Sequence, residues 1–306
     1  MSLHISYNKK DPFYKKLWDS RKYYYLMLPF LILFAVFTVL PIIMSWVISF
    51  TDYDMLNSPQ FVGFDNYLRI FLDDDVFLIA LKNTAILAIV TGPIGYILSF
   101  ILAWLLNELG RTLRTIFTVM FYAPILSGQA FMIWQFIFSN DKYGLFNGFL
   151  MNLGFTDQAI NWLIDTKYMI TVLIVVQLWM SLGSGFLAFV AGLQNTDRSL
   201  VEAGAIDGVR NRFQELWFIT LPQLVPQLIF GAVMQIVSAF TVGQVSMQLI
   251  GFPSTEYAAE TIITHIQDFG TIRFEMGYAS ALAAILVLIM FVSNKLVNKF
   301  IGRIGH

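Results

Sequence analysis

Six apolar stretches, at roughly 24–50, 84–106, 116–138, 168–193, 221–250 and 276–296, constrain this chain more than anything else in it. A helix rising 1.5 Å per residue needs about 20 apolar residues to cross a hydrocarbon core about 30 Å thick, and each stretch is long enough. Lipid offers the backbone no hydrogen-bond partner, so a crossing segment must satisfy its own N–H and C=O groups and is therefore helical. Composition agrees: 57% of residues are hydrophobic and only 13% charged, where soluble domains carry about 25% charge. The expected fold is all-α and integral to the membrane. One six-helix domain spans 23–300, between a tail of residues 1–22 and a short tail of 301–306.

The first stretch is too long for the hydrophobic part of a cleaved leader, and no A-x-A site follows it, so it reads as a retained span. The chain has no cysteine, which excludes disulfides and thiolate metal sites. No short-period repeat or low-complexity linker interrupts the pattern.

Charge sets the orientation. One set of segments holds Lys9, Lys10, Lys15, Lys16, Arg21, Lys22, Arg111, Arg114, Arg198, Arg210, Arg212, Lys295, Lys299 and Arg303; the alternate set holds only Arg69, Lys82, Lys142, Lys167 and Arg273. Cytosolic loops are the Lys/Arg-rich ones, so both termini are expected in the cytosol, together with the loop 196–222. The basic N-terminal tail suits anionic lipid headgroups better than nucleic acid.

The spans are as informative for what they lack. None of their apolar cores contains Asp, Glu, Lys, Arg or His, Lys295 lying at the very end of the sixth, whereas proton- and sodium-coupled carriers place ionisable groups at mid-membrane. No G-x-x-x-x-G-K-[ST] cradle for nucleotide phosphates is present. His4, His265 and His306 show no metal-ligand spacing. The run Asp73, Asp74, Asp75 lacks the rest of a calcium loop and instead suits a helix cap. An enzyme is not expected, nor any cofactor or metal in this chain.

Neutral polar residues do appear in the spans. Gln177, Trp179, Ser181 and Ser184 lie in the fourth; Gln235, Ser238, Thr241, Gln244 and Gln248 lie in the fifth. At i, i+3/i+4 spacing Gln177–Ser181–Ser184 share one helical face, as do Gln235–Ser238–Thr241 and Gln244–Gln248. Singly, each is an interhelical hydrogen-bonding group. As a set they are candidates to line a path for a neutral polyol.

Between the fourth and fifth spans lies 202–222, EAGAIDGVRNRFQELWFITLP. Its helix-favouring residues and Gly208 predict a short helix, a turn and a second helical piece outside the membrane. Pro222 is expected to open the fifth span. Glu202, Ala203, Gly204, Asp207, Gly208, Ile219, Leu221 and Pro222 resemble the EAA motif of ABC importer permeases, the Asp207-Gly208 pair and ITLP ending resembling the carbohydrate branch. The stretch 61–71, FVGFDNYLRIF, is similar to the segment after the first span of sugar-importer permeases. Two departures show: Gly204 where the family usually has Ala, and one extra residue between Gly208 and Ile219. In a continuous helix that residue would rotate the downstream side chains by about 100°.

The resemblance implies a type I ABC importer permease in a bacterial cell membrane, carrying a carbohydrate such as an oligosaccharide. It implies a second homologous permease, two ATPase subunits holding ATP and Mg and docking at 196–222, and an extracytoplasmic sugar-binding protein. It also implies a sugar site on the fourth and fifth spans, near Gln235. The same architecture importing glycerol phosphate, an amino acid or a polyamine stays open, as does a facilitative channel. The orientation is directly testable. Asn8→Cys and Asn211→Cys should resist an impermeant thiol reagent in intact cells, and Ser58→Cys should react; labelling at position 211 would overturn the arrangement.

Overall fold

The structure is a computed structural model describing residues 21–127 and 131–301; Lys9, Lys10, Lys15, Lys16, His4, Arg303 and His306 lie outside them. The described residues form helices and turns, with one isolated antiparallel bridge, Thr51 to Phe61. Four helices are long and apolar enough to cross a membrane: α1 Arg21–Ile48, α3 Asp75–Asn107, the pair 166–194, and α14 Met276–Ile301. A fifth crossing arises if Arg212–Gln223 (α10) and Val225–Phe240 (α11), bent by 82°, count as one. The third expected span falls on α4 Arg111–Ser127 and α5 Phe131–Ile137, on either side of residues 128–130.

Three expectations need correction. The segment after the first span, 51–81, reads from its sequence as extended, but Asp65–Leu72 forms helix α2 and α3 begins at Asp75. The fourth span is not continuous: it is α7 Thr166–Met180 followed by α8 Ser184–Gln194. The fifth starts later than Pro222, since the chain bends at Leu224 and Pro226 takes the first turn of α11; it then breaks at Thr241 before α12 Gly243–Leu249.

α3 is the central helix and packs on α7, α8 and α11. Pro93 lies inside it without ending it. Phe186, Phe189, Leu193, Leu224 and Leu228 form the core at one end of the bundle; Leu87, Met169, Leu173 and Val176 fill the middle. Ile70, Phe77, Phe269 and Leu282 close the other end. The most apolar stretch of α1 buries nothing against the rest of the chain, leaving it to lipid or another subunit; only its C-terminal end docks, on α14.

At the α2 end an acid–histidine knot joins three elements. Asp74 caps α3, accepting from the Phe77 N–H at 2.9 Å, as the aspartate run predicts. Burial would raise its pKa, but hydrogen bonds from His265, Tyr278 and the Phe77 backbone outweigh this and hold it at about 2. The ionised carboxylate can only accept, so His265 Nε2 donates to it at 2.8 Å, from helix α13 Ile262–Gln267. On the other side of His265, Nδ1 stands 3.9 Å from the Glu260 carboxyl. Asn83 Nδ2 donates to the Ala258 and Glu260 carbonyls, and the Ile262 N–H donates to Thr84 Oγ1, pinning this loop to α3.

Glu260 is only 2% exposed, and burial pushes its pKa up to about 7. A carboxyl raised in the fold favours the folded state below its ordinary value, and that contribution is lost as pH rises through about 7. Glu260→Gln should therefore raise the melting temperature at pH 8, with the gain fading toward pH 5. An equal shift at both values would show that the buried charge is already compensated.

Candidate functional site

Two helix breaks lie side by side in the bundle. α7 ends where Ser181 turns back on Leu178, its N–H and Oγ donating to the Leu178 carbonyl at 3.3 and 2.6 Å. α8 restarts at Ser184 after Gly183. α11 ends at Thr241, whose Oγ1 donates to the Val237 carbonyl at 2.8 Å. Interrupted helices at membrane depth are tolerated where the freed backbone is buried in protein or lines a cavity.

A cavity of about 290 Å³ fills the space between the breaks, and Gln177, Ser181, Gln235, Ser238, Thr241 and Gln244 all border it. Six of the seven candidate path residues are thus brought together by two spans that fold against each other. Ser184 borders it too. Trp179 does not; its ring packs edge-on against Trp134 at 5.4 Å. Its place as an apolar surface is taken by Met180, Met234 and Ile125. Ile125 comes from α4, and nothing in an unbroken apolar run marks it out.

The amides are half committed. Gln177 Nε2 donates to the Ser238 carbonyl and Oγ at 3.1 and 3.0 Å, and Gln235 Nε2 donates to the Thr91 carbonyl at 3.2 Å. Neither amide oxygen accepts a hydrogen bond among the described residues, so each keeps capacity for a hydroxyl donor. Among the described residues, none bordering the cavity is ionisable. Gly95 of α3 makes this geometry possible: a Cβ there would stand 2.4 Å from Gln235 Nε2 and 2.9 Å from Ser181.

The segment 196–222 forms the second site. Helix α9, Arg198–Ile206, is capped by Asp197, whose carboxylate accepts from the Ser199 N–H at 2.9 Å. Gly208 then sits at φ +99°, where only glycine is free of strain, and the Val209 N–H donates back to the Gly204 carbonyl at 2.9 Å. The predicted helix–turn–helix is present. Its ends are joined, since Gln223 Oε1 accepts from the Asp197 N–H at 3.0 Å. Arg212 bridges Glu215 and Glu108, tying α10 to the turn after α3.

Glu202, Ala203 and Asp207 are exposed, and the Glu202 carboxylate has no ion pair or hydrogen bond among the described residues. Ile206, Phe213, Trp217 and Phe218 of the same segment expose apolar surface, from 65 to 87% of each. Pro222 is exposed and Leu221 half-buried.

The two sequence departures meet in space. Residues Leu216–Thr220 form a π turn, whose i→i+5 closure takes up one residue more than an α turn. Such a turn can absorb a one-residue lengthening of the kind read from the sequence. Within the π turn, Ile219 reaches α9 so closely that a Cβ at Gly204 would lie 2.3 Å from Ile219 Cδ1. The glycine makes room for the isoleucine.

A family profile described as the binding-protein-dependent transport system inner membrane component matches residues 94–306. The chain is 33% identical over 278 residues to the probable ABC transporter permease protein YesP of Bacillus subtilis (strain 168), covering 89% of this chain and 87% of that one. It is 30% identical over 295 residues to the arabinooligosaccharides transport system permease protein AraP of the same organism, covering 96% and 91%. Among solved structures, it resembles a chain of a bacterial alginate ABC transporter in complex with an alginate pentasaccharide-bound periplasmic protein. There the TM-score is 0.75 and identity 23%, covering 96% of this chain and 99% of that one, a likeness of fold.

The notch at Gly204 can be tested by a double-mutant cycle. Gly204→Ala should destabilise the purified protein by about 1–3 kcal/mol, the usual cost of overpacking. Ile219→Val removes the colliding Cδ1, so adding it to Gly204→Ala should recover most of the lost melting temperature. Additive losses would show that the two residues do not constrain each other.

Proposed function

The chain belongs to the family of inner membrane components of binding-protein-dependent transport systems, and on that premise we propose that it is one of two permease subunits of an oligosaccharide importer. As a family member it is a membrane-spanning transport subunit, without ATPase machinery of its own in its sequence. ATP and Mg would be held by two partner ATPases, and cargo delivered by an extracytoplasmic sugar-binding protein. Six crossings with both termini in the cytosol complete the proposal; the charge asymmetry supports it.

The observation that carries the coupling role is Glu202, a carboxylate unpaired among the described residues, on an exposed helix–turn–helix that also presents apolar side chains. An exposed apolar patch with a polar rim marks a protein–protein contact. Under this reading the ATPases close on ATP, the docked segments move, and each pulls its α11 across the bend at Leu224. Because α11 carries Gln235, Ser238 and Thr241, a shift there remakes the cavity at the helix breaks.

The substrate class is supported by that cavity. Neutral donors and acceptors against methionine and isoleucine suit the hydroxylated rings of a saccharide. AraP, a relative at 30% identity, is named for arabinooligosaccharides.

Replacing Glu202 tests the reading. A desolvated carboxylate–guanidinium contact with an ATPase would lose about 3–5 kcal/mol when one partner is removed. Glu202→Ala and Gly208→Leu should abolish uptake while the protein still inserts, with the ATPase detached or hydrolysing ATP without transport. ATPase capture at wild-type level and normal uptake in both variants would show that this segment does not couple.

A further inference from the structure

A second polar cavity, of about 490 Å³, lies between α4 and α8, lined by Arg111, Arg114, Thr115, Thr118, Val190 and Gln194. It shares both helices with the cavity at the breaks, where Ile125 of α4 and Ser184 of α8 are lining residues. On α4, positions 111, 114/115, 118 and 125 fall on one face at i, i+3/i+4 spacing; on α8, positions 184, 187, 190/191 and 194 do the same. Both cavities therefore lie along the seam between α4 and α8. From Ile125 to Arg111 that seam follows α4 for about 21 Å, at 1.5 Å per residue.

The α4–α8 seam changes character along its length. At the break it has neutral amides and hydroxyls, and the first turn of α8, whose free N–H groups and dipole favour negative charge. At the far end it has two guanidinium groups and, among the described residues, no acidic one. The nearby Glu108 is taken by Arg212 at 3.0 Å. Arg114 is anchored, its Nη1 donating to Asn107 Oδ1 and Nη2 to the Leu109 carbonyl, both at 3.2 Å. Among the described residues its Nε and the Thr118 hydroxyl have no partner, and Arg111 has no ion pair.

We propose that Arg111 and Arg114 form an exit site for a carboxylate, so that the cargo is an oligosaccharide bearing uronate groups. The inference rests on the reading of the chain as an oligosaccharide importer and narrows its substrate. The sugar rings are met by hydroxyls and amides in both cavities. A single carboxylate is tolerated at the α8 N-terminus and held at the arginines, whose planar forks match it bidentately. Cargo therefore passes from a site of weak positive potential to one of stronger positive potential, in the direction of the cytosol.

The test uses the transporter purified with its ATPase, without nucleotide, and measures binding of three probes by thermal shift. The probes are trigalacturonate, neutral arabinotriose and sn-glycerol 3-phosphate. Wild type should bind trigalacturonate in a salt-sensitive manner, and Arg111→Gln/Arg114→Gln should weaken this about tenfold or more. Arabinotriose binding and basal ATP hydrolysis should not change. Arg111→Lys/Arg114→Lys keeps the charge but not the fork, so it should bind trigalacturonate with intermediate affinity; it also serves if the glutamine variant fails to fold. Binding of arabinotriose but not trigalacturonate would overturn the arginine site and leave the saccharide reading standing. Binding of sn-glycerol 3-phosphate alone would overturn the saccharide reading as well. Trigalacturonate binding unaffected by the glutamine variant, or an arginine effect seen only on exchanging phosphatidylglycerol for phosphatidylcholine, would also sink the proposal.

Discussion

The close approach of α3 to α7 and α11 at Gly95 is the contact on which the interior depends. Without a side chain there, Gln235 and Ser181 meet the α3 backbone directly. That proximity lets Gln235 donate to the Thr91 carbonyl and Ser99 donate to the Ser181 carbonyl at 3.3 Å. In lipid there is little hydrophobic force between helices, so small residues and interhelical hydrogen bonds hold the bundle. The same bonds occupy the amide N–H groups and leave the oxygens, which gives the cavity an accepting character. Packing and ligand chemistry are thus set by one arrangement.

The segment 196–222 obeys a different rule. It is exposed, so it cannot depend on core burial, and its stiffness comes from local hydrogen bonds. Asp197 and Asn211 cap its helices, Gly208 turns it, and Gln223 joins its ends. Ile219 in the Gly204 notch locks the two helical pieces face to face. The segment joins α11 at Leu224 through an 82° bend, and Leu224 itself is buried among Phe186, Phe189 and Leu228. The far end of the bundle is anchored by ionic and hydrogen-bonding groups around Asp74, so displacement at one end need not loosen the other.

Much of this was legible in the residues. Apolar length and the exclusion of charge dictate helices in a membrane, because a helix satisfies its own polar groups there and these runs lack the alternation of a barrel strand. The helix, glycine turn and second helix at 198–223 arise from capping and φ preferences, which are local. So does the Asp74 cap. The polar faces of the fourth and fifth spans also pointed to the cavity, since i, i+3/i+4 spacing survives folding wherever the helix does.

Tertiary structure decided what depends on two elements meeting. The breaks at 181–183 and 241–242 carry no proline, and each span is apolar enough to read as continuous; only neighbouring helices make it favourable to interrupt them there. Trp179 shares a span with Gln177 but turns toward Trp134, and Ile125 enters the cavity flanked in sequence by Pro124 and Leu126, with nothing polar beside it. Gly204 and the extra residue before Ile219 look like separate departures along the chain. They become one feature only when the π turn carries Ile219 into the space a Cβ would have filled.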